Sequence, residues 1–118
     1  MITVEIPLKL PSCNDYINAC RLNKYAGAKM KAETEEAIGF CLQSLPRFKK
    51  PITIHFHWIE ATKRRDLDGI AFGKKFILDA LTKGGYIKDD SHRYVTGFRD
   101  TFEYGEKNKV IVTIKEKR

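Results

Sequence analysis

No stretch of this chain approaches the roughly 20 consecutive apolar residues of a membrane span. Its start, Met1-Ile2-Thr3-Val4, lacks the charged, then apolar, then small-residue order of a secretory signal, so a cytoplasmic protein with no membrane partner is expected. Cysteine is sparse and odd in number; Cys13, Cys20 and Cys41 match no zinc spacing and are read as thiols of a reducing compartment. Internal repeats, low-complexity tracts and linker-like stretches are also missing, which leaves residues 1–118 as one domain around one core. Acid is in deficit: 15 Asp and Glu face 22 Lys and Arg, for a net charge of +7. Such a balance favours a polyanionic partner, nucleic acid or an anionic surface, and does not by itself choose between them. Nothing in the sequence demands a small-molecule cofactor.

Residues 1–8 alternate apolar and polar, with Ile2, Val4 and Ile6 on one side, as a half-buried strand does. Residues 12–23, rich in Ser, Asn and Asp, read as a loop. From Gly27 to Leu45 the apolar set Met30, Ala37, Ile38, Cys41 and Leu45 recurs at helical spacing, and Pro46 follows. Pro51 precedes Ile52–Ile59, a β-branched and aromatic strand. Asp68 is placed to cap a second helix through Leu81, closed by Gly84-Gly85. Its apolar stripe is Leu67, Ile70, Ala71, Ile77, Leu78 and Leu81; Asp68, Phe72, Lys75 and Asp79 share another stripe. Strands over 93–104 and 110–115 flank Gly105-Glu106-Lys107-Asn108, which reads as a hairpin turn. The expected fold is α+β, in the order β-α-β-α-β-β, with a mixed sheet packed by two main helices.

The chemistry concentrates at Arg64-Arg65-Asp66-Leu67-Asp68, two carboxylates one residue apart in basic surroundings, answered downstream by Asp89-Asp90. On extended backbone Asp66 and Asp68 point to one side and can share an ion. Mg²⁺ takes a few hard oxygen ligands, keeps waters and accepts a substrate phosphate oxygen, so a third carboxylate from the 89–90 turn completes a plausible set. The plainer alternative makes Asp68 a helix cap and pairs Asp66 with a neighbouring arginine. Lys75, seven residues after Asp68, can reach a phosphate at the helix start, with Lys74 as its competitor. His55 and His57 share a strand face and His92 follows the acidic pair. A zinc site is conceivable there, but exposed imidazoles fit better because no ligand completes the usual spacing. Trp58 and its neighbours are core residues, unless one stacks on an unpaired base.

Taken together, Arg65-Asp66-Leu67-Asp68, Lys75-Phe76-Ile77-Leu78-Asp79-Ala80-Leu81 and Gly85-Tyr86-Ile87-Lys88-Asp89-Asp90-Ser91 resemble the RusA family of Holliday junction resolvases. The resemblance extends to the N-terminal strand, the Asn14 loop and Gly27-Ala28-Lys29. It implies an acidic metal triad of Asp66, Asp68 and Asp90, a catalytic Lys75 and a supporting Asp89. It also implies Mg²⁺, or Mn²⁺ in its place, and a homodimer that cuts paired strands of four-way DNA junctions in recombination and repair. Such proteins are often carried by phages or prophages. Two departures stand out: Gly69 occupies the position where the family commonly has Asn, and the Asp-to-Lys spacing is longer by two. Lys63, Arg64, Arg65, Lys74, Arg21, Lys29 and Asn14 are the expected DNA contacts. A noncatalytic nucleic-acid-binding protein and a nuclease for other branched DNA are the alternatives.

Overall fold

The computed structural model describes residues 1–117. Its elements are β1 (Ile2–Ile6), α1 (Cys13–Leu22), α2 (Lys24–Cys41), β2 (Ile52–Glu60), α3 (Leu67–Ala71), α4 (Lys74–Lys83), β3 (Val95–Tyr104) and β4 (Lys109–Glu116). The four strands form one mixed sheet in the order β1-β4-β2-β3, antiparallel except for the parallel β2–β3 pair. This is the α+β fold expected, with each of the two anticipated helices preceded or interrupted by a further helical segment.

Strand alternation sorts the sheet residues. Ile52, Ile54, Phe56 and Trp58 of β2, with Val4, Ile6, Val110, Val112 and Ile114, turn inward against Ile38 of α2, Leu42 at its C-terminal cap, and Phe76, Ile77 and Leu81 of α4. The other face carries Thr3, His55, His57, Arg99, Thr101, Thr113 and Lys115, none of them buried. Apolar burial of this kind is the main favourable term in the fold.

Four local expectations are corrected. The segment 12–23 is a helix, not a loop. Its Ser12 hydroxyl accepts from Asp15 N–H at 3.2 Å, while Asp15 Oδ2 accepts from Ser12 N–H at 2.9 Å. The polar residues that suggested a loop are a capping box, and Tyr16 beyond them packs on Phe72 and Phe76. Asn23 then caps α2 through Tyr25 and Ala26, so that helix starts earlier than Gly27 and ends at Cys41 rather than Leu45.

The second helix does not run unbroken from Asp68 to Leu81. It divides at Phe72-Gly73, and Asp66, not Asp68, occupies the capping position, without a side-chain capping bond. Gly73 packs tightly between Leu10 and the sheet: a Cβ there would lie 3.1 Å from Leu10 Cβ and 3.2 Å from Trp58 Cζ3. Ile70, Ile77, Leu78 and Leu81 are buried as expected, whereas Leu67 is 49% exposed.

The last two strands are not a hairpin. β2 lies between them, and residues 105–108 step across its end, where Gly105 N–H donates to Glu60 O at 3.0 Å and Ala61 N–H to Asn108 Oδ1 at 2.9 Å. β2 takes the central position because it has the most inward apolar residues to cover. Enlarging Gly73 to Val should lower stability by about 1–3 kcal/mol through overpacking against Leu10 and Trp58, read as an earlier urea midpoint with unchanged slope.

Candidate active site

The end of β2 is fastened by a buried ion pair. Glu60, 5% exposed, accepts from Arg65 Nε at 2.9 Å and from Arg65 Nη2 at 2.8 Å, and Arg65 Nη1 donates to Leu10 O at 2.7 Å. This fork fixes the loop between β2 and α3. Arg65 is therefore committed to the protein and not to a DNA phosphate. Glu60 was not singled out in the sequence, although an acid closing an apolar strand five residues before an Arg is a signal that could have found it.

The fastened loop presents Asp66 and Asp68 to a cleft of about 380 Å³ that also receives Ser12, Asn14, Arg64 and Gly69. Asp66 has extended backbone, and Asp68 sits in the first turn of α3. Both are exposed, and among the described residues neither carboxylate has a hydrogen-bond or ion-pair partner. The reading of Asp66 as an arginine's partner and that of Asp68 as a cap both fail here.

Asp89 and Asp90 are elsewhere. They precede β3, which is parallel to β2, so they lie at the sheet end where β2 begins while Asp66 and Asp68 lie beyond the end where it finishes. The nine residues of β2, at ~3.3 Å each, put about 30 Å of strand between the two groups. Asp89 Oδ1 accepts from Ser91 N–H at 2.7 Å, and this bonding to Ser91 lowers its pKa below the usual carboxylate value. Among the described residues no three Asp, Glu, His or Cys side chains converge to hold an ion. The expected triad is thus not assembled within one copy, because the parallel pairing of β2 and β3 keeps its members apart.

The two lysines separate cleanly. Lys74 turns to the sheet: its Nζ lies 2.5 Å from Asp100 Oδ2 and 5.1 Å from the centre of the Phe98 ring, and Trp58 Nε1 donates to the other Asp100 oxygen at 2.8 Å. Lys75 is half exposed, with Asp79 Oδ2 at 3.7 Å, and Asp79 also faces Lys31 at 3.4 Å. Of the remaining expected contacts, Asn14 and Arg64 line the cleft and Lys63 lies over the Tyr104 ring. Arg21, in the last turn of α1, and Lys29, near Glu33 on α2, do not line it.

The family model of endodeoxyribonuclease RusA matches residues 7–115. The chain belongs to the RusA family. No curated protein matches it. As a RusA-family protein it is an endodeoxyribonuclease, a hydrolase of DNA phosphodiester bonds, and membership implies action on Holliday junctions and binding of branched DNA. RusA resolvases are in general dependent on a divalent metal. The cleft fits that requirement in kind: Asp66 and Asp68 are free hard-oxygen donors, Asn14 lines the same cleft, and its opening to solvent leaves room for the waters a Mg²⁺ keeps. Among the described residues of this RusA-family chain, no helix is long and apolar enough to cross a membrane.

His55 and His57 serve the sheet surface. Thr101 Oγ1 lies 2.7 Å from His55 Nε2 and 2.6 Å from His57 Nδ1, and His57 Nε2 lies 3.1 Å from Glu103 Oε1. Burial, then Arg99, then His57 lower the pKa of His55. The folded state therefore binds a proton at His55 less readily than the unfolded chain, so stability from this group is present above the ordinary histidine pKa and lost as pH falls through the lowered folded value. His55→Asn should flatten that acid-side loss in denaturation midpoints followed across the mildly acidic range. Lys74→Ala should cost about 1–3 kcal/mol by stranding the charge of Asp100, while Lys75→Ala should cost less than about 0.5 kcal/mol, both read from urea unfolding.

Proposed function

We propose that this protein resolves four-way DNA junctions by paired Mg²⁺-dependent cuts, with Asp66 and Asp68 of one copy and Asp90 of a second forming each metal site. The reading is carried by the cleft itself: two unpartnered carboxylates beside Arg64 and Asn14 in a chain of net charge +7. A surface meant only to bind phosphate gains nothing from two free negative charges at its centre, whereas phosphodiester hydrolysis uses them.

Asp66 and Asp68 would hold the ion, and Mn²⁺ would be the natural substitute because it accepts the same oxygen ligands. When bound, the ion supplies Lewis-acid activation of the phosphoryl oxygen and a lowered pKa for bound water. Arg64 and Asn14 hold the DNA backbone across the cleft, and Lys63 extends the contact beyond it. Lys75 is the residue for neutralising transition-state charge. Its stem is flexible and its ion pair with Asp79 is loose, unlike that of Lys74, which is held on Asp100. Asp89 supports Asp90 by shaping the turn through Ser91. Two copies related by a twofold axis provide two sites, as one incision in each of two opposed strands requires.

The test is an end-labelled four-way junction beside a matched linear duplex, in Mg²⁺, in Mn²⁺ and in chelator. Symmetric nicks should appear in the junction alone and disappear with chelator. Asp68→Asn should lower cutting by more than about 100-fold, the scale of loss seen when even an outer metal partner is disturbed, and leave junction binding nearly unchanged. Tight binding with no new termini in either metal would leave a noncatalytic junction-binding protein. Better cutting of flaps or other branches would move the substrate away from four-way junctions.

A further inference from the structure

Between Asp15 and Glu33 the chain has no acid: residues 16–32 include Arg21, Lys24, Lys29 and Lys31 and not one Asp or Glu. α1 and α2 meet inside this stretch, and residues 21–25 at their corner are all exposed. Two of them are large and apolar, Leu22 at 76% and Tyr25 at 73% exposure. Scattered apolar side chains on a surface need no explanation, whereas two at one corner form a patch of the kind that marks a contact site. Lys24 Nζ stands 5.2 Å from the centre of the Tyr25 ring, and neither Arg21 nor Lys24 has an ion pair among the described residues.

The corner is held in place as well as exposed. Asn23 has extended backbone, and its Oδ1 accepts from Tyr25 N–H at 2.9 Å and from Ala26 N–H at 2.8 Å, which ties the turn to the helix it opens. Gly27, one turn further on, is buried against Cys20: a Cβ on it would meet Cys20 Sγ at 2.5 Å, so the two helices leave no room for a side chain between them there. Tyr25 is thus presented to solvent from a fixed backbone, which lowers the ordering cost of an aromatic contact. The first turn of α2 also contains no acid to offset the positive end of its dipole.

We infer that this corner is a base-stacking subsite for DNA at a branch, with Tyr25 as the platform, Leu22 extending its apolar surface, and Arg21 and Lys24 on the flanking phosphates. An aromatic ring with adjoining cations suits a nucleotide whose base has left its stack, because the ring takes the base face and the cations take the backbone. A fully paired duplex offers no free base face away from its ends. The subsite therefore distinguishes branched from linear DNA, which phosphate contacts alone do not do. Its substrate rests on the nuclease reading above.

The position of the corner matches this use. α1 begins at the cleft, where Ser12, Cys13, Asn14 and Asp15 line the same space as Asp66 and Asp68, and it ends at the corner. Its ten residues, at ~1.5 Å each, set the two about 15 Å apart, roughly four base-pair steps of ~3.4 Å. One short helix thus holds the place where a strand is cut at a fixed distance from the place where its stacking is interrupted. Self-association through the same corner is disfavoured, because it would bring Arg21 and Lys24 of two copies together.

Fluorescence-anisotropy titrations in chelator, where no strand is cut, compare a four-way junction with a linear duplex of matched sequence; cutting of the junction is followed separately in Mg²⁺ and in Mn²⁺. Tyr25→Ala should lower junction affinity by about 10-fold, the scale of one lost stacked base, and leave duplex affinity within about twofold. Tyr25→Phe should bind as the wild type does, since the ring and not the hydroxyl is used. Arg21→Ala and Lys24→Ala should weaken both DNAs alike, each reducing the slope of log affinity against log salt by about one. Sedimentation velocity and far-UV circular dichroism of each variant read association and folding. A Tyr25→Ala protein that binds both DNAs and cuts as the wild type does would overturn the subsite, as would one whose only change is in its association state. A wild type whose junction preference depends on Tyr25 but which cuts nothing in either metal would uphold the subsite and overturn the nuclease reading.

Discussion

The pair between Glu60 and Arg65 is the constraint on which the site depends. Both side chains are removed from water, at 7% and 14% exposure, and charges in such a place are tolerated only when the geometry satisfies them. Here the carboxylate receives two guanidinium N–H groups and a third goes to Leu10 O. That arrangement ties the end of β2 to the chain just before α1 and leaves the next residue, Asp66, with no choice but to face the cleft. Losing either partner would strand a buried charge and release the loop that presents the site. The position of the two carboxylates is therefore fixed by a group that never touches substrate.

The same economy explains why α3 and α4 are separate. The chain leaves the clamp at one end of the sheet and must return along it, while Gly73 lets the backbone approach Leu10 and Trp58 more closely than a side chain would permit. The break gives α3 an orientation of its own and turns Lys74 onto Asp100 and Lys75 away from it. Two adjacent lysines that look interchangeable in sequence thus acquire different duties: one stitches α4 to β3, and the other is held only by a long contact to Asp79.

Much of this was legible in the sequence where pattern and physics act locally. The apolar alternation of Ile52 to Trp58 marked the central strand, and the stripe of Ile70, Ile77, Leu78 and Leu81 marked the helical region that covers it. The Asp66–Asp68 pair stood out as a candidate because two carboxylates one residue apart are unusual in a basic surround, and both line one cleft. What was not legible depends on long-range placement. Ser12, Asn14 and Asp15 resemble a loop until a capping box makes them a helix, and Gly105–Asn108 resembles a hairpin until β2 takes the place between the strands. The distance from Asp90 to Asp66 follows from the parallel sense of β2 and β3, which no local spacing encodes. Glu60 escaped notice because a buried acid is recognised by its partner, and that partner is identified only by the fold.

One arrangement gives the molecule an optical consequence. The chain has a single tryptophan, and Trp58 is 2% exposed with its indole N–H donated to Asp100, the same carboxylate that holds Lys74. Its ring is stacked near Phe56 and abuts Gly73 at the α3–α4 break. The only indole emission of this protein therefore originates where β2, β3 and the helical break meet, between the clamp that carries the carboxylates and the strand that forms the sheet edge. A change in the charge or hydration of Asp100 alters the field across that ring, so the protein carries an unlabelled fluorescent reporter of its own edge strand.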